Sequence, residues 1–320
     1  MKRIILSLSI VAVVAAAASI VTVSYFSDTE TSSDNTFTTG TIDIAVDGEN
    51  PWDATAEYAF SGLEPSDDED IDVMLSNVGT NDVVIWKKVS VTSETDNIQS
   101  EPECDAIGGT WSGSVCSGGT SIDDLSTQFV YSMDIGGSID IDQAWDVRLS
   151  DVNDLWIPIG RLDSGDTLAV DQNYYFDEMA GNEYQGDEMT VNITFYAEQL
   201  DAPGPTNTTR GVVLENKNPA NDWAPIIADG TWGIITWDGS GNYTAKGWGM
   251  NSDTYTLTYW NEATSGPEVP IGSNQTGTDL TFTGTYAGFT TNVDAKYWIR
   301  PSVWTSSSDA NTLYESNLVN

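Results

Sequence analysis

The chain has 320 residues, with 49 acids against 11 Lys plus Arg, no histidine and a formal net charge of −38. Such a surface repels nucleic acid, which binds through Lys and Arg. Without imidazole there is no HExxH zinc protease, Ser-His-Asp triad or His-bound iron. Hydrophobic residues at 39%, including 12 Trp and 13 Tyr, suffice for packed cores, so the acidity decorates a folded protein and does not mark disorder.

The N-terminus begins with Lys2 and Arg3, followed by an apolar run from Ile4 to Val23. This reads as a secretory signal peptide over residues 1–24. A retained membrane anchor is the alternative, because the run is long enough to span. The abrupt polarity after Phe26, with no basic stop-transfer flank, favours cleavage and a mature chain outside the cytoplasm, free of the membrane.

The next elements read as strands. Ile42, Ile44 and Val46 alternate with Asp43 and Ala45; Ile71, Val73 and Leu75 alternate with Asp72 and Met74. Val83–Val91 and Phe129–Met133 are β-branched or aromatic, and Val191, Ile193 and Phe195 alternate with Asn192, Thr194 and Tyr196. A period of two with one polar face predicts half-buried antiparallel strands. Asp201–Thr209 is rich in Pro, Gly and Thr and reads as a linker. Strand patterns resume at Thr231–Trp237, Thr254–Trp260, Leu280–Gly284 and Lys296–Val303. The expected architecture is all-β, two sandwiches over residues 25–203 and 211–320. Charge divides at the same place: residues 25–210 hold 38 acids and five cations, net −33, and residues 211–320 hold 11 acids and four cations, net −7.

Several residues are candidates for chemistry. Cys104 and Cys116 flank a Gly/Ser-rich stretch and are expected to pair in an oxidising compartment; no CxxC is present. The acid runs Asp67–Asp72 and Asp140–Asp142, with Asp146, Asp151 and Asp154, offer hard oxygen ligands that suit calcium, although no EF-hand spacing occurs and a solvated acidic face explains them as well. No cofactor or other metal is expected. Sequons stand at Asn192, Asn207, Asn242 and Asn274. Seven Trp lie in residues 211–320, and Trp237 and Trp248, flanked by glycines, are the pair expected to be exposed for stacking on surface glycans. The predominance of Asp and scarcity of Lys suit a salty or hot setting.

Tyr25-Phe-Ser-Asp-Thr-Glu-Thr31 and Thr36-Phe-Thr-Thr-Gly-Thr-Ile-Asp-Ile44 resemble the signal junction and first strand of the TasA/camelysin family. Phe60–Asp68 with Ile71–Asn77 and Gly79, and Ala180–Gly186 with the strand ending at Gln199, resemble two further segments of that family in the same order. The resemblance spans residues 25–200. It implies a jelly-roll subunit of an extracellular biofilm fibre or archaeal bundling pilus, polymerising with itself by donor-strand complementation, together with related pilin or anchor subunits. The N-terminal segment would be the donor, with Tyr25, Phe26 and Phe37 as its apolar anchors. Residues 25–37 can span about 40 Å when extended, and a strand added to an open edge satisfies unpaired backbone groups. Camelysins have been regarded as metalloproteases, but a histidine-free chain with scattered carboxylates offers no catalytic site, and no enzyme activity is expected. Val213–Pro219, Trp223–Ile226, Asp229–Ile235, Tyr255–Trp260 and Ala295–Ile299 resemble a β-sandwich module of exported archaeal and other prokaryotic proteins. The competing expectation is a monomeric cell-surface or S-layer-associated protein that grips glycan.

Overall fold

The computed structural model describes residues 40–52, 62–122, 124–200, 202, 204–205, 209–218, 224–226, 230–251, 253–261, 269–289, 295–302 and 313–315. The described residues all belong to one compact unit, Gly40–Asn320. Tyr25, Phe26, Phe37, Asn207 and the signal segment lie outside the described residues.

The described chain is all-β. Its first ten strands are β1 (Ile44–Val46), β2 (Asp68–Asn77), β3 (Val83–Thr95), β4 (Thr110–Trp111), β5 (Cys116–Ser117), β6 (Phe129–Ile135), β7 (Ser138–Ile141), β8 (Trp156–Leu162), β9 (Thr167–Phe176) and β10 (Glu188–Gln199). One sheet runs β1-β2-β9-β6-β7; facing it, β10-β3-β8 begin a second sheet. Consecutive strands change between these two sheets from β2 to β3, β7 to β8, β8 to β9 and β9 to β10, the crossing habit of double-sheet jelly rolls.

The period-two pattern of β2 is realised as read: Ile71, Val73 and Leu75 are buried while Asp72 and Met74 are exposed. Ile71, Val73 and Leu75 meet Val83, Ile85 and Val89 of β3, Tyr131 and Met133 of β6, Ile157 and Ile159 of β8 and Val170 of β9 in one core. Hydrophobic side chains from both sheets filling one layer are what define a sandwich.

After the linker come β11 (Arg210–Asn218), β12 (Ala224–Pro225), β13 (Trp232–Trp237), β14 (Asn242–Trp248), β15 (Thr254–Asn261), β16 (Val269–Pro270), β17 (Gln275–Thr276), β18 (Leu280–Thr285), β19 (Ala295–Pro301) and β20 (Leu313–Glu315). Antiparallel pairing runs β11-β13-β14-β18 on one side and β20-β19-β15 on the other. A second core of Val212, Leu214, Ile235, Trp237, Tyr243, Tyr255, Leu257, Phe282, Tyr297 and Ile299 fills the space between.

The second sheet is continuous across the linker, because Arg210 of β11 pairs in parallel with Trp156 of β8. Strands in the middle therefore serve both cores. Val83 and Ile85 of β3 point into the first, whereas Val84 and Trp86 point into the second. Trp232 and Ile234 of β13 likewise join the first core, and Ile235 and Trp237 the second. Burial on both faces explains why Val83–Lys87 is uniformly buried and does not alternate. Within the linker, Gly204 adopts φ +84°, a left-handed conformation suited to glycine. A Cβ there would come within 2.7 Å of the Trp86 ring.

Candidate functional site

Among the described residues, β10 pairs on one side only, with β3. This 12-residue strand is an open edge. Its outward residues Thr190, Asn192, Thr194 and Tyr196 are exposed, and its inward residues Met189, Val191, Ile193, Phe195 and Ala197 pack against the first core yet remain only half-buried. The ring of Trp52 lies 5.8 Å from that of Phe195. On the outward face Tyr196 meets Trp156 at 6.0 Å, and Lys88 sits 5.4 Å above the Trp156 ring. Near the end of the strand, Trp86 Nε1 donates to Glu198 Oε1 at 2.8 Å, and burial raises the Glu198 carboxyl above its ordinary range. An edge strand presents a row of unpaired N–H and C=O groups, and here the hydrophobic layer behind it is also incompletely covered.

Where β10 begins, three carboxylates converge. Asp96 follows the last residue of β3, Asp187 precedes the first residue of β10, and Glu103 belongs to a short helix, α1 (Glu101–Ala106). One carboxylate oxygen from each lies within 4.8 Å of the others. Ser100 and Glu103 form a capping box at α1: Glu103 N donates to Ser100 Oγ at 3.3 Å, and Ser100 N donates back to Glu103 Oε2 at 3.3 Å. Glu103 is fully buried, and its carboxyl is raised chiefly by that burial. The helix is anchored next door, where Cys104 and Cys116 form a disulfide with their Cα atoms 5.6 Å apart. This cluster escaped the sequence reading, because its members are 91 positions apart at the extremes and none sits in the densest acid runs.

The acid runs have local structural partners. Asn173 Nδ2 donates to Asp70 Oδ1 at 2.8 Å, Asp142 Oδ1 accepts from Ala144 N at 2.7 Å, and Arg148 bridges Asp146 and Asp177. Asp154 accepts from Ser90 Oγ at 2.6 Å and faces Lys88 at 3.6 Å. Asp72, Asp171 and Asp134 stand directly opposite one another across β2, β9 and β6. Asp72 and Asp134 are raised by burial first and by the Asp171 charge second.

The expected exposed tryptophan pair requires correction. Trp237 is only 2% exposed, its ring stacked on Phe289 at 5.1 Å and beside Tyr297 at 6.0 Å. The flanking glycines shape turns around a strand whose Trp side chain points into the second core. Trp248 is half-buried and stacks on Trp232 at 4.2 Å. The sequons Asn192, Asn242 and Asn274 are exposed. Asn242 Nδ2 donates to Asp238 Oδ2 at 2.8 Å, and Asn274 Oδ1 accepts from Thr256 Oγ1.

One buried titratable group had no sequence signal. Lys87 is 3% exposed and donates to the Tyr131 hydroxyl, and burial pushes it well below the ordinary lysine range. A cavity of about 10 Å³ beside it is lined by Val89, Met133, Val152, Leu155 and Ile157, room for no more than about one water and far too small for a substrate.

No curated protein matches the chain. The family described as camelysin metallo-endopeptidase matches residues 2–109, about a third of its length. That description implies a catalytic metal. With no histidine in the chain and both cysteines in the disulfide, carboxylate oxygens are the strong side-chain ligands on offer. At the Asp96–Glu103–Asp187 cluster each carboxylate also accepts a main-chain N–H, which suits holding an ion in place and leaves no carboxylate over as general base. Zinc hydrolases take three ligands, with at least one histidine in the usual sets, plus an activated water, so these residues do not fit that chemistry. Asp187 also lies beyond the matched segment. Over residues 2–109 the match bears out the resemblance to the TasA/camelysin family read from Tyr25–Ile44 and from the segment around Ile71–Gly79.

Proposed function

We propose that the protein is a secreted structural subunit of an extracellular filament, in which residues 25–37 of one copy add as a strand to the open edge of β10 in the next. The observation that carries this reading is the half-covered inward face of Met189, Val191, Ile193, Phe195 and Ala197 on a strand paired on one side. A donor strand supplies what both features lack: backbone partners for the edge and apolar side chains over the core. Lengths agree, since the 13 residues 25–37 and the 12 residues of β10 both extend to about 40 Å at roughly 3.3 Å per residue. Tyr25, Phe26 and Phe37 are the apolar side chains available to that segment. The family match over residues 2–109 supports a fibre-forming, secreted protein.

The test is negative-stain microscopy of the chain with and without residues 25–37. Filaments from the intact chain and none from the deletion are expected; filaments of the same form from the deletion overturn the reading. Subunits without Lys2 and Arg3 carry −40 and repel one another, so assembly is expected to weaken at low ionic strength, where screening is lost. The alternative of a monomeric glycan-binding protein relied on Trp237 and Trp248 as an exposed pair, and the burial of Trp237 removes half of it.

A further inference from the structure

We infer that Asp96, Glu103 and Asp187 form a calcium site at the point where the β3–β10 ladder opens. The terminal pair of that ladder is Thr95 with Glu188, so Asp96 and Asp187 are the first residues past it on each strand. Each carboxylate is aimed by the main chain. Ile122 N donates to Asp96 Oδ2 at 3.2 Å, Gln99 N to Glu103 Oε2 at 2.7 Å, and Asn97 N to Asp187 Oδ1 at 3.1 Å. The converging oxygens lie within 4.8 Å of one another.

The second observation concerns Glu103 alone. Its side chain is 0% exposed, and Oε1 is a buried oxygen with no hydrogen-bond partner. The capping box accounts for Oε2 only. A buried oxygen without a donor, on a carboxylate that converges with two more, is a costly arrangement that a bound cation resolves. An all-oxygen set favours a hard cation, and calcium accepts such ligands in irregular geometry at about 2.3–2.6 Å, so two oxygens on one calcium can stand roughly 5 Å apart. Magnesium bonds are about 2.0–2.1 Å, and it demands a near-ideal octahedron. Bound calcium joins three stretches, the exit of β3, the disulfide-anchored helix α1 and the entry of β10, and so pins the start of the open edge strand. The inference stands apart from filament assembly, since it concerns one chain by itself.

Calorimetric titration of the full chain with calcium chloride tests it, in about 1 M sodium chloride to screen diffuse attraction to the acidic surface. One saturable site per chain is expected, about tenfold weaker or worse in Glu103→Gln and in Asp187→Asn, because affinity follows the number of charged ligands. Asp72→Asn, on the other sheet, is expected to bind as the parent does. Asp187→Asn retains an oxygen to accept from Asn97 N and so keeps the fold if Glu103→Gln does not. Absence of a saturable site, equal binding in Asp187→Asn, or magnesium binding as tightly as calcium overturns the assignment.

Discussion

Two edge strands, β10 in the first core and β18 in the second, have opposite fates. Both pair on one side only among the described residues. Yet the inward residues of β18, Leu280 and Phe282, are 3% and 2% exposed, whereas the five inward residues of β10 are all half-buried. The difference lies in what lies over them. The segment Ile271–Gly272 crosses the second core, with Ile271 N and Gly272 N both donating to Leu257 O and Tyr243 Oη donating to Ile271 O at 2.6 Å. It runs so close that a Cβ on Gly272 would meet Phe282 Cδ1 at 2.9 Å. On β10, Trp52 reaches Phe195, and no described strand lies along the edge opposite β3. An edge is therefore not in itself an assembly site; an edge over an uncovered core is.

Truncation gives the sharpest contrast. Phe282→Ala is expected to destabilise the folded chain by about 3–5 kcal/mol, the cost of a large buried aromatic, measured by urea unfolding. Phe195→Ala is expected to cost the single chain only about 1–2 kcal/mol, since its side chain is only partly buried, while abolishing filaments. Equal losses of stability at the two positions would break the comparison. Replacing Cys104 and Cys116 together by serine is expected to cost about 3 kcal/mol, from the unfolded-state freedom regained over a separation of 12 residues. That loss should loosen α1 and the start of β10, read as faster hydrogen exchange there and not in β18.

Smaller effects concern charge in the first core and its outer face. Lys87 has its folded-state value pushed down by burial, so the folded chain binds fewer protons than the unfolded one. Stability then rises with pH from that lowered value up to the ordinary lysine range. Lys87→Met is expected to flatten this rise and to add on the order of 1 kcal/mol at pH 7. Asp72 and Asp134 are shifted the other way. Their raised folded-state values make stability fall as pH climbs from the ordinary carboxylate range through those values. Asp171→Asn, which removes the charge between them, is expected to stabilise by about 0.5 kcal/mol at neutral pH and low salt, and to do nothing at pH 3. A melting series against pH separates the two signs.

Much of the fold was legible because period-two patterning is local. Ile71, Val73 and Leu75 face inward for the reason their spacing suggests, and Val191, Ile193 and Phe195 turn to one side of β10 as expected. Degree of burial along that strand was not legible, because it depends on what lies beside β10 and not on β10. Trp237 was misjudged on the same ground: glycines nearby signal turns, but the face of the strand on which Trp237 falls is set by its pairing with Arg210 and Tyr243. The carboxylate cluster was invisible because Asp187 reaches Asp96 only through the antiparallel register of β10 on β3.

The sequence by itself determined the all-β class, the acidic character, the placement of most strands and the family resemblance of its first part, since each rests on composition or on neighbours a few residues apart. Tertiary structure alone decided that β3 and β13 are buried on both faces between two cores, that β18 is covered while β10 is open, and that Asp96, Glu103 and Asp187 meet. Those outcomes depend on contacts between residues tens to more than a hundred positions apart, which no local pattern encodes.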